Sequence, residues 1–595
     1  MKKNFYLLGF WAASLTFTGC SDELESKNPE DVVNSGEVGY VKIAINLPTV
    51  SGMGTRAAAG DGTDTNDQFE DGEENEYAVE NAIIAFFKGN QGGAEGDATF
   101  VTAKSIDDLT RSSTGTDNNI TSSYSYTLDG IPKVEADKQM YAFVILNNNG
   151  LFSADNGNLK FGSANISTFS DLQGESYTVT SETDASKFIT DGFLMCNAPI
   201  ANCPSVPSAS SFSPVVTTLA KVTVYTNDPT HDSQVTADPV YVERAVAKVE
   251  VKVSSSTDGS LSVTDNVGTV IIGHKVQFTQ WALNVTNKSS KIVRDVTDYS
   301  AWARYFNSNV TVENRFFGTT AGPYRVYWAI DTNYSDNQKD DFNHFSESNT
   351  ATWKPISTTS TPQYDYCFEN TMVADKQIQG FTTGVLLEGK YQIGDDEDAD
   401  VFTLGTSSAV YSTKEMLDAI NKIVGETGKY EFNTSIEGEV IGNAGTEEEK
   451  IKQFQTAFKL VSDHTTSMTE EDAKKLIEDS YVGTINYYKG GRTYYWSRPI
   501  KHFGDYYTPL YNNNGEPVDF YDQASDYNDN NHLGRYGVVR NNWYQLNITS
   551  VSGPGYPTIP EIPTGDDNPD DSGTGYVKMN INVLSWAVRQ QDIEL

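Results

Sequence analysis

Apolar and polar positions alternate with a period of two through most of this chain. In residues 38–47, Val41, Ile43, Ile45 and Leu47 alternate with Lys42, Ala44 and Asn46. That pattern predicts a strand with one apolar face, ended by Pro48. Further strand-like runs are AIIAFF at 82–87, YAFVILNN at 141–148, GFLMCNAPI at 192–200 and VQFTQWALNV at 276–285. In YVERAVAKVEVKV at 241–253, Ala245, Ala247, Val249, Val251 and Val253 share a face, and a domain boundary falls near 235–245. TINYYKGGRTYYWSRPIKHF at 484–503 reads as two aromatic strands turning at Gly490-Gly491. YGVVRNNWYQLNITSV at 536–551 supplies another strand.

Residues 412–480 follow a different period. Ser412 with Glu415, and Thr446 with Glu449, have the spacing of capping boxes. Ile451, Phe454, Phe458 and Val461 recur at helical spacing, and 469–479 is a third helix candidate. We read a small helical insertion within an all-β protein. Two segments carry little to bury. Residues 49–77 are Gly-rich and acidic, with Arg56 as the only basic residue, and read as an exposed loop. Residues 552–575, rich in Pro, Gly and Asp, read as a semi-extended linker.

Beyond that linker the opening strand recurs. GYVKIAINLP stands at 39–48 and GYVKMNINVL at 575–584. Val41, Ile43, Ile45 and Leu47 correspond in register to Val577, Met579, Ile581 and Val583. A one-residue slip would send every apolar side chain to the wrong face, so two strands of like alternation fit one groove. A cut between Arg56 and Ala57 would free the first copy. The second copy, offered by another molecule, could then fill the groove by strand addition. Such a contact is head to tail and grows a filament. Before the cut, the tethered copy outcompetes any visitor through its effective concentration.

Charge and chemistry narrow the function. The net charge of −38 repels nucleic acid and anionic membranes, so no nucleic-acid partner is expected. MKKNFYLLGFWAASLTFTGC opens the chain: Lys2 and Lys3, a short apolar run, then small residues before Cys20. This is a signal peptide, too short for a membrane span, with Cys20 placed to carry a lipid anchor. The acidic SDELE follows directly. Cys196 and Cys203 are spaced to bridge across a loop or to stand as two buried thiols. None of the six His sits in HExxH, and no nucleophile elbow or phosphate loop is present. The expectation is a non-enzyme with no catalytic residues, no metal and no cofactor. GDDEDAD at 394–400 and DYNDNN at 526–531 lack the spacing of a calcium loop and read as solvated.

Several pieces together resemble the fimbrillin superfamily of Bacteroidota pili, and within it the shaft subunits of minor (Mfa-type) fimbriae. They are Cys20 in its lipobox, TRAAAGDG at 55–62, VERAVAKVEV at 242–251, YYKGG at 487–491, YGVVRNNWYQLNITSV at 536–551 and VKMNINVLSWAV at 577–588. The resemblance implies two transthyretin-like β-sandwich domains with a C-terminal donor strand. It implies a signal peptide 1–19, a propeptide 20–56 with palmitate-type lipidation at Cys20 and a placeholder strand at 38–48. The N-terminal domain is then 57–240, the C-terminal domain 241–552 with the helical insertion 412–480, the linker 553–574 and the donor strand 575–595. It implies an outer-membrane lipoprotein precursor, trimmed at Arg56 by an arginine-specific protease and assembled into a surface fimbrium for adhesion and biofilm. The partners implied are other copies of the chain and accessory tip and anchor subunits, with the surface receptor undefined. The alternative reading is a surface glycan-binding lipoprotein that does not polymerise, for which a spare terminal strand has no use.

Overall fold

A computed structural model describes residues 38–46, 76, 78–106, 113–114, 122–178, 188–189, 192–201, 215–232, 234–254, 258–265, 267–296, 324–336, 338–345, 353–357, 361–394, 398–407, 409–497, 499–503, 508, 510–511, 517–518, 532–563 and 569–571, and the strand 577–585 by its backbone. The protein is built mainly of β-strands, in agreement with the alternating pattern. Two large sheets dominate the described residues. In the first, the strand order is Thr99–Ile106, Ala82–Asn90, Lys138–Leu146, Met195–Asn197, Asp238–Arg244, Val38–Asn46, Ser122–Pro132 and Ser113–Thr114. In the second it is Tyr364–Cys367, Ala247–Val253, Asn542–Val551, Ser260–Thr264, Val270–Asn284, Gly384–Ile393 and Arg492–Trp496. Each sheet has its own apolar cluster.

The chain passes from one sheet to the other through two buried residues, Ala245 and Val246. The Ala245 amide donates to Leu194 O, and Val246 O accepts from the Asn541 amide. The crossing therefore lies inside the run whose alternation continues through 241–253. Its polar positions are buried too: Glu243, Arg244, Lys248 and Glu250 are all nearly inaccessible. A strand path covered on both sides where it passes between two sheets needs partners for those charges.

The insertion is larger than its helices. Thr413–Val424 and Glu447–Ala457 both begin with the expected capping boxes, and Glu470–Glu478 begins at Thr469, whose hydroxyl accepts from the Asp472 amide. A small sheet of Val410–Ser412, Val401–Leu404, Ile485–Tyr488 and Glu439–Ile441 underlies them, and helices and sheet share a separate core around Phe402, Phe454 and Tyr487. Two readings of the sequence are corrected here. The helical stripe through Phe458 and Val461 stops at Ala457, because Phe458–Leu460 pairs as a strand with Tyr430–Phe432 and Phe458 packs against the Phe432 ring. Gly490-Gly491 does not turn a hairpin. Ile485–Tyr488 belongs to the insertion's sheet, and Arg492–Trp496 pairs with Gly384–Ile393 in the large one. Both glycines have positive φ, and a Cβ on Gly491 would lie 2.2 Å from Tyr391 O. The pair serves a corner where the backbone passes against another strand.

Phe454 is completely buried in the insertion core. Phe454→Ala should destabilise the protein by about 3–5 kcal/mol, measured as a loss in unfolding free energy in urea.

Candidate functional site

The strand Val38–Asn46 is an interior member of the first sheet. On one side it runs parallel to Asp238–Arg244, with Ile43 opposite Asp238 and Asn46 opposite Tyr241. On the other it runs antiparallel to Ser122–Pro132, from Val38 opposite Pro132 to Asn46 opposite Ser123. Val41, Ile43 and Ile45 are fully buried in the first core, as their alternation requires. Burying three such side chains is worth roughly 1.5–3 kcal/mol each. Removing the strand would leave unpaired backbone rows on both neighbours.

Register in this slot is set by more than apolar faces. Between Gly39 and Val41 the pairing skips a residue of the neighbouring strand, at a bulge where Gly130 has φ +66°. There the opening strand is also bound from the 225–235 segment. The Tyr40 amide donates to Tyr225 O (2.8 Å), and the Tyr225 amide donates to Tyr40 O (2.7 Å). A Cβ on Gly39 would lie 2.3 Å from Tyr225 O, so only glycine fits beneath that carbonyl. Lys42 Nζ donates to Val235 O (3.0 Å) and lies 3.4 Å from Pro229 O.

Downstream of residues 47–75 the chain is held again at Glu76, which is completely buried. Lys248 Nζ lies 2.7 Å from Glu76 Oε1 and 2.9 Å from Oε2. The Tyr366 hydroxyl donates to Oε1 (2.6 Å), and Arg244 Nε donates to Glu76 O (2.8 Å). Burial and the Glu76 carboxylate push the Tyr366 hydroxyl up, so it remains a donor. The Lys248 ammonium also stands 3.6 Å from the Tyr364 ring centroid and 4.2 Å from that of Trp543. A second buried network lies nearby: Arg294 bridges Glu243 and Glu369, each at 3.3 Å, and Arg540 Nε reaches Glu369 at 3.0 Å. Glu243 of the first sheet and Lys248 of the second thus each find a buried partner of opposite charge, Arg294 and Glu76.

The repeated strand at the other end, Val577–Ser585, pairs antiparallel with Asn542–Val551 in the second sheet. Val577 stands opposite Val551, Met579 opposite Ile548, Ile581 opposite Leu546 and Val583 opposite Tyr544. The stretch read as a linker is tied down on its way there. Tyr556 exchanges two backbone bonds with Tyr494, each 2.8 Å, while the Tyr495 and Tyr488 hydroxyls donate to Gly553 O and Gly555 O. Asp570 and Asp571 are fully buried. Arg535 Nε and the Tyr536 hydroxyl both reach Asp571 Oδ1, and the Asp570 amide donates to Gln377 O (2.9 Å).

Of the residues singled out in the sequence, Val41, Ile43 and Ile45 are together in the groove, and Val577, Met579, Ile581 and Val583 share one strand of the second sheet. Cys20, Leu47, Arg56, Ala57 and Cys203 lie outside the described residues. Cys196 is buried in Met195–Asn197, and burial pushes its thiol up to about 12. Local pattern did not single out Glu76, Lys248, Tyr225 or the Asp570–Asp571 anchor. The first is one acid in an acidic run, and Tyr225 acts through its backbone, which carries no side-chain signal.

Residues 486–592 match the family model described as major fimbrial subunit protein type IV, fimbrillin, C-terminal. That span includes the strand Arg492–Trp496, the docked residues 553–556 and 570–571, and the closing strand. Among solved structures, the chain is similar to a fimbrilin from Porphyromonas gingivalis at 11% identity, covering 92% of this chain and 98% of that one, with a TM-score of 0.32. It is similar to the tip fimbrial protein Mfa3 from Porphyromonas gingivalis at 11% identity, covering 91% and 99%, with a TM-score of 0.27. A fimbrial assembly protein from Parabacteroides distasonis is 12% identical, covering 60% and 100%, with a TM-score of 0.22. No curated protein matches the chain.

Lys248→Met should cost about 3–5 kcal/mol, because the Glu76 carboxylate would stay buried without its cation. Equilibrium unfolding in urea measures the loss, and Lys248→Met with Glu76→Gln should recover part of it. The Cys196 thiol should resist iodoacetamide at pH 8 in the folded protein and react once unfolded. Mass spectrometry with and without prior reduction reads both this and any bond to Cys203.

Proposed function

We infer that this chain, a member of the fimbrillin superfamily through its C-terminal module, is a structural subunit of a cell-surface fimbrium that polymerises head to tail by strand exchange. The observation that carries the reading is the pairing of a near-repeated strand with an interior slot. The opening copy fills the middle of the first sheet, and the second copy closes the chain. In this reading the protein is exported as a lipoprotein anchored through Cys20. A protease cuts between Arg56 and Ala57, and the opening strand leaves with residues 20–56. The closing strand of another copy, through Val577, Met579, Ile581 and Val583, then enters the vacated slot. Its role is to build the shaft, alongside accessory tip and anchor subunits, and not to catalyse a reaction.

Two features support the division of labour. Glu76 is held by Lys248, Tyr366 and Arg244, so a cut at Arg56 leaves the rest of the subunit fastened while the opening strand loses its tether. The closing strand is kept on its own second sheet until a neighbour presents an empty slot. The uncut chain is inert because an attached strand has a far higher effective concentration than a visiting one.

Cleaving the purified protein with an arginine-specific protease should give ladders on gels and filaments by electron microscopy. Arg56→Ala should leave stable monomers under the same treatment. A chain ending at residue 574 should be cut but not polymerise, and undiminished filaments from it would overturn the mechanism.

A further inference from the structure

The slot does more than accept an alternating apolar strand: it has contacts that only part of the sequence Gly-Tyr-Val-Lys can satisfy. Gly39 passes under Tyr225 O where a Cβ would sit 2.3 Å from the oxygen. Its neighbour Tyr40 is fixed there by a reciprocal pair of backbone bonds to Tyr225. Three residues after Gly39, the Lys42 ammonium reaches the carbonyls of Val235 and Pro229. The steric contact and the charged contact lie on either side of Val41, where the bulge at Gly130 fixes the phase of the neighbouring strand. The charged contact lies off the apolar face, whereas Gly39 is in phase with Val41, and a Cβ there would also meet Val224 Cγ1 at 2.9 Å.

The closing copy keeps the residues these contacts demand and varies where they do not. Gly575, Tyr576, Val577 and Lys578 repeat Gly39 to Lys42, whereas Ala44 becomes Asn580 and Ile43 becomes Met579. Ala44 is only partly buried, and no contact on it resembles those on Gly39 and Lys42. We propose that the Tyr225 carbonyl and the Pro229–Val235 carbonyl pair form a reading head that admits the closing strand of a second copy in one register, by testing for Gly575 and Lys578. This rests on the strand-exchange reading and deepens it. The apolar side chains would supply binding, and the 225–235 segment would reject strands that alternate equally well but lack the small residue and the cation. Alternation alone leaves two-residue slips open, since those preserve the buried face. A glycine and a lysine three positions apart exclude such slips.

The test uses full-length protein cut at Arg56 and fluorescent peptides spanning 572–595, titrated by anisotropy. The wild-type peptide should bind the cut protein and not the uncut one. Gly575→Ala and Lys578→Met should each weaken binding by roughly tenfold or more, the latter through loss of a charge-assisted hydrogen bond. The alanine raises strand propensity, so weaker binding cannot come from a poorer strand. Asn580→Ala should bind like wild type, because the opening strand carries alanine there. Wild-type affinity in both Gly575→Ala and Lys578→Met peptides would overturn the reading head while leaving strand exchange intact. No binding by the wild-type peptide would overturn strand exchange itself, and this proposal with it.

Discussion

The arrangement of this molecule follows from one constraint: an interior strand has two rows of backbone donors and acceptors, and both rows need a partner. The opening strand satisfies its own rows and those of Asp238–Arg244 and Ser122–Pro132 at once. Its loss would therefore expose unpaired backbone on both neighbours together with the core lined by Val41, Ile43 and Ile45. An edge strand could leave with little consequence. An interior one leaves a vacancy that water fills poorly and another strand fills well. This makes the slot suited to exchange, and it ties the fate of the first sheet to what stands beside Asp238–Arg244.

The frame around that slot is held by buried charge. Arg244, Lys248, Arg294 and Arg540 meet Glu76, Glu243 and Glu369 at the junction where the chain crosses at Ala245–Val246. Buried ion pairs add little net stability compared with apolar packing, but breaking one leaves an uncompensated charge. Their effect here is to oppose rearrangement. Asp238–Arg244, which lines the slot, and Ala247–Val253, which lies beside Asn542–Val551, are consecutive parts of one backbone path. That network makes its contacts to the path without using the opening strand. The Asp571–Arg535 pair acts similarly on the closing arm, since it ties the chain down only six residues before the closing strand begins.

Much of this was legible in the sequence because it is written locally. The two-residue period marked the strands, including the opening one, and Ser412 with Glu415 and Thr446 with Glu449 marked two helix starts. The repeat at the two ends was legible because it compares the chain with itself. What stayed hidden depends on residues far apart. Phe458 ends its helix because Phe432, twenty-six positions earlier, offers a strand and a ring. Gly490-Gly491 turns a corner, not a hairpin, because Gly384–Ile393 is the better neighbour for Arg492–Trp496. Glu76 lies 172 positions from Lys248, and no window contains both. The linker's composition did not reveal its docking, since Tyr494 meets it through backbone bonds and Arg535 through the buried Asp571 carboxylate.

The two copies are also unequal in a way that gives exchange a direction. From Gly39 with Gly575 to Asn46 with Asn582 they differ only at Ile43/Met579 and Ala44/Asn580, but Pro48 stands where the closing copy has Leu584. Proline has no amide hydrogen, so the opening strand cannot donate a ladder bond at that position. The closing copy can, and its observed strand continues through Ser585. If the closing copy took the slot in the same register, Leu584 could donate a ladder bond where Pro48 has no amide hydrogen. Each added hydrogen bond is worth on the order of 1 kcal/mol net, small against burial of the shared apolar face but absent from the reverse process. While the opening strand is tethered, effective concentration outweighs that difference. In the proposed exchange, a cut tether would remove that advantage, and a ladder bond at Leu584 would then count for the closing copy. In the proposed exchange, Pro48 is the one position of the repeat where the opening copy could not match a ladder bond of the closing copy.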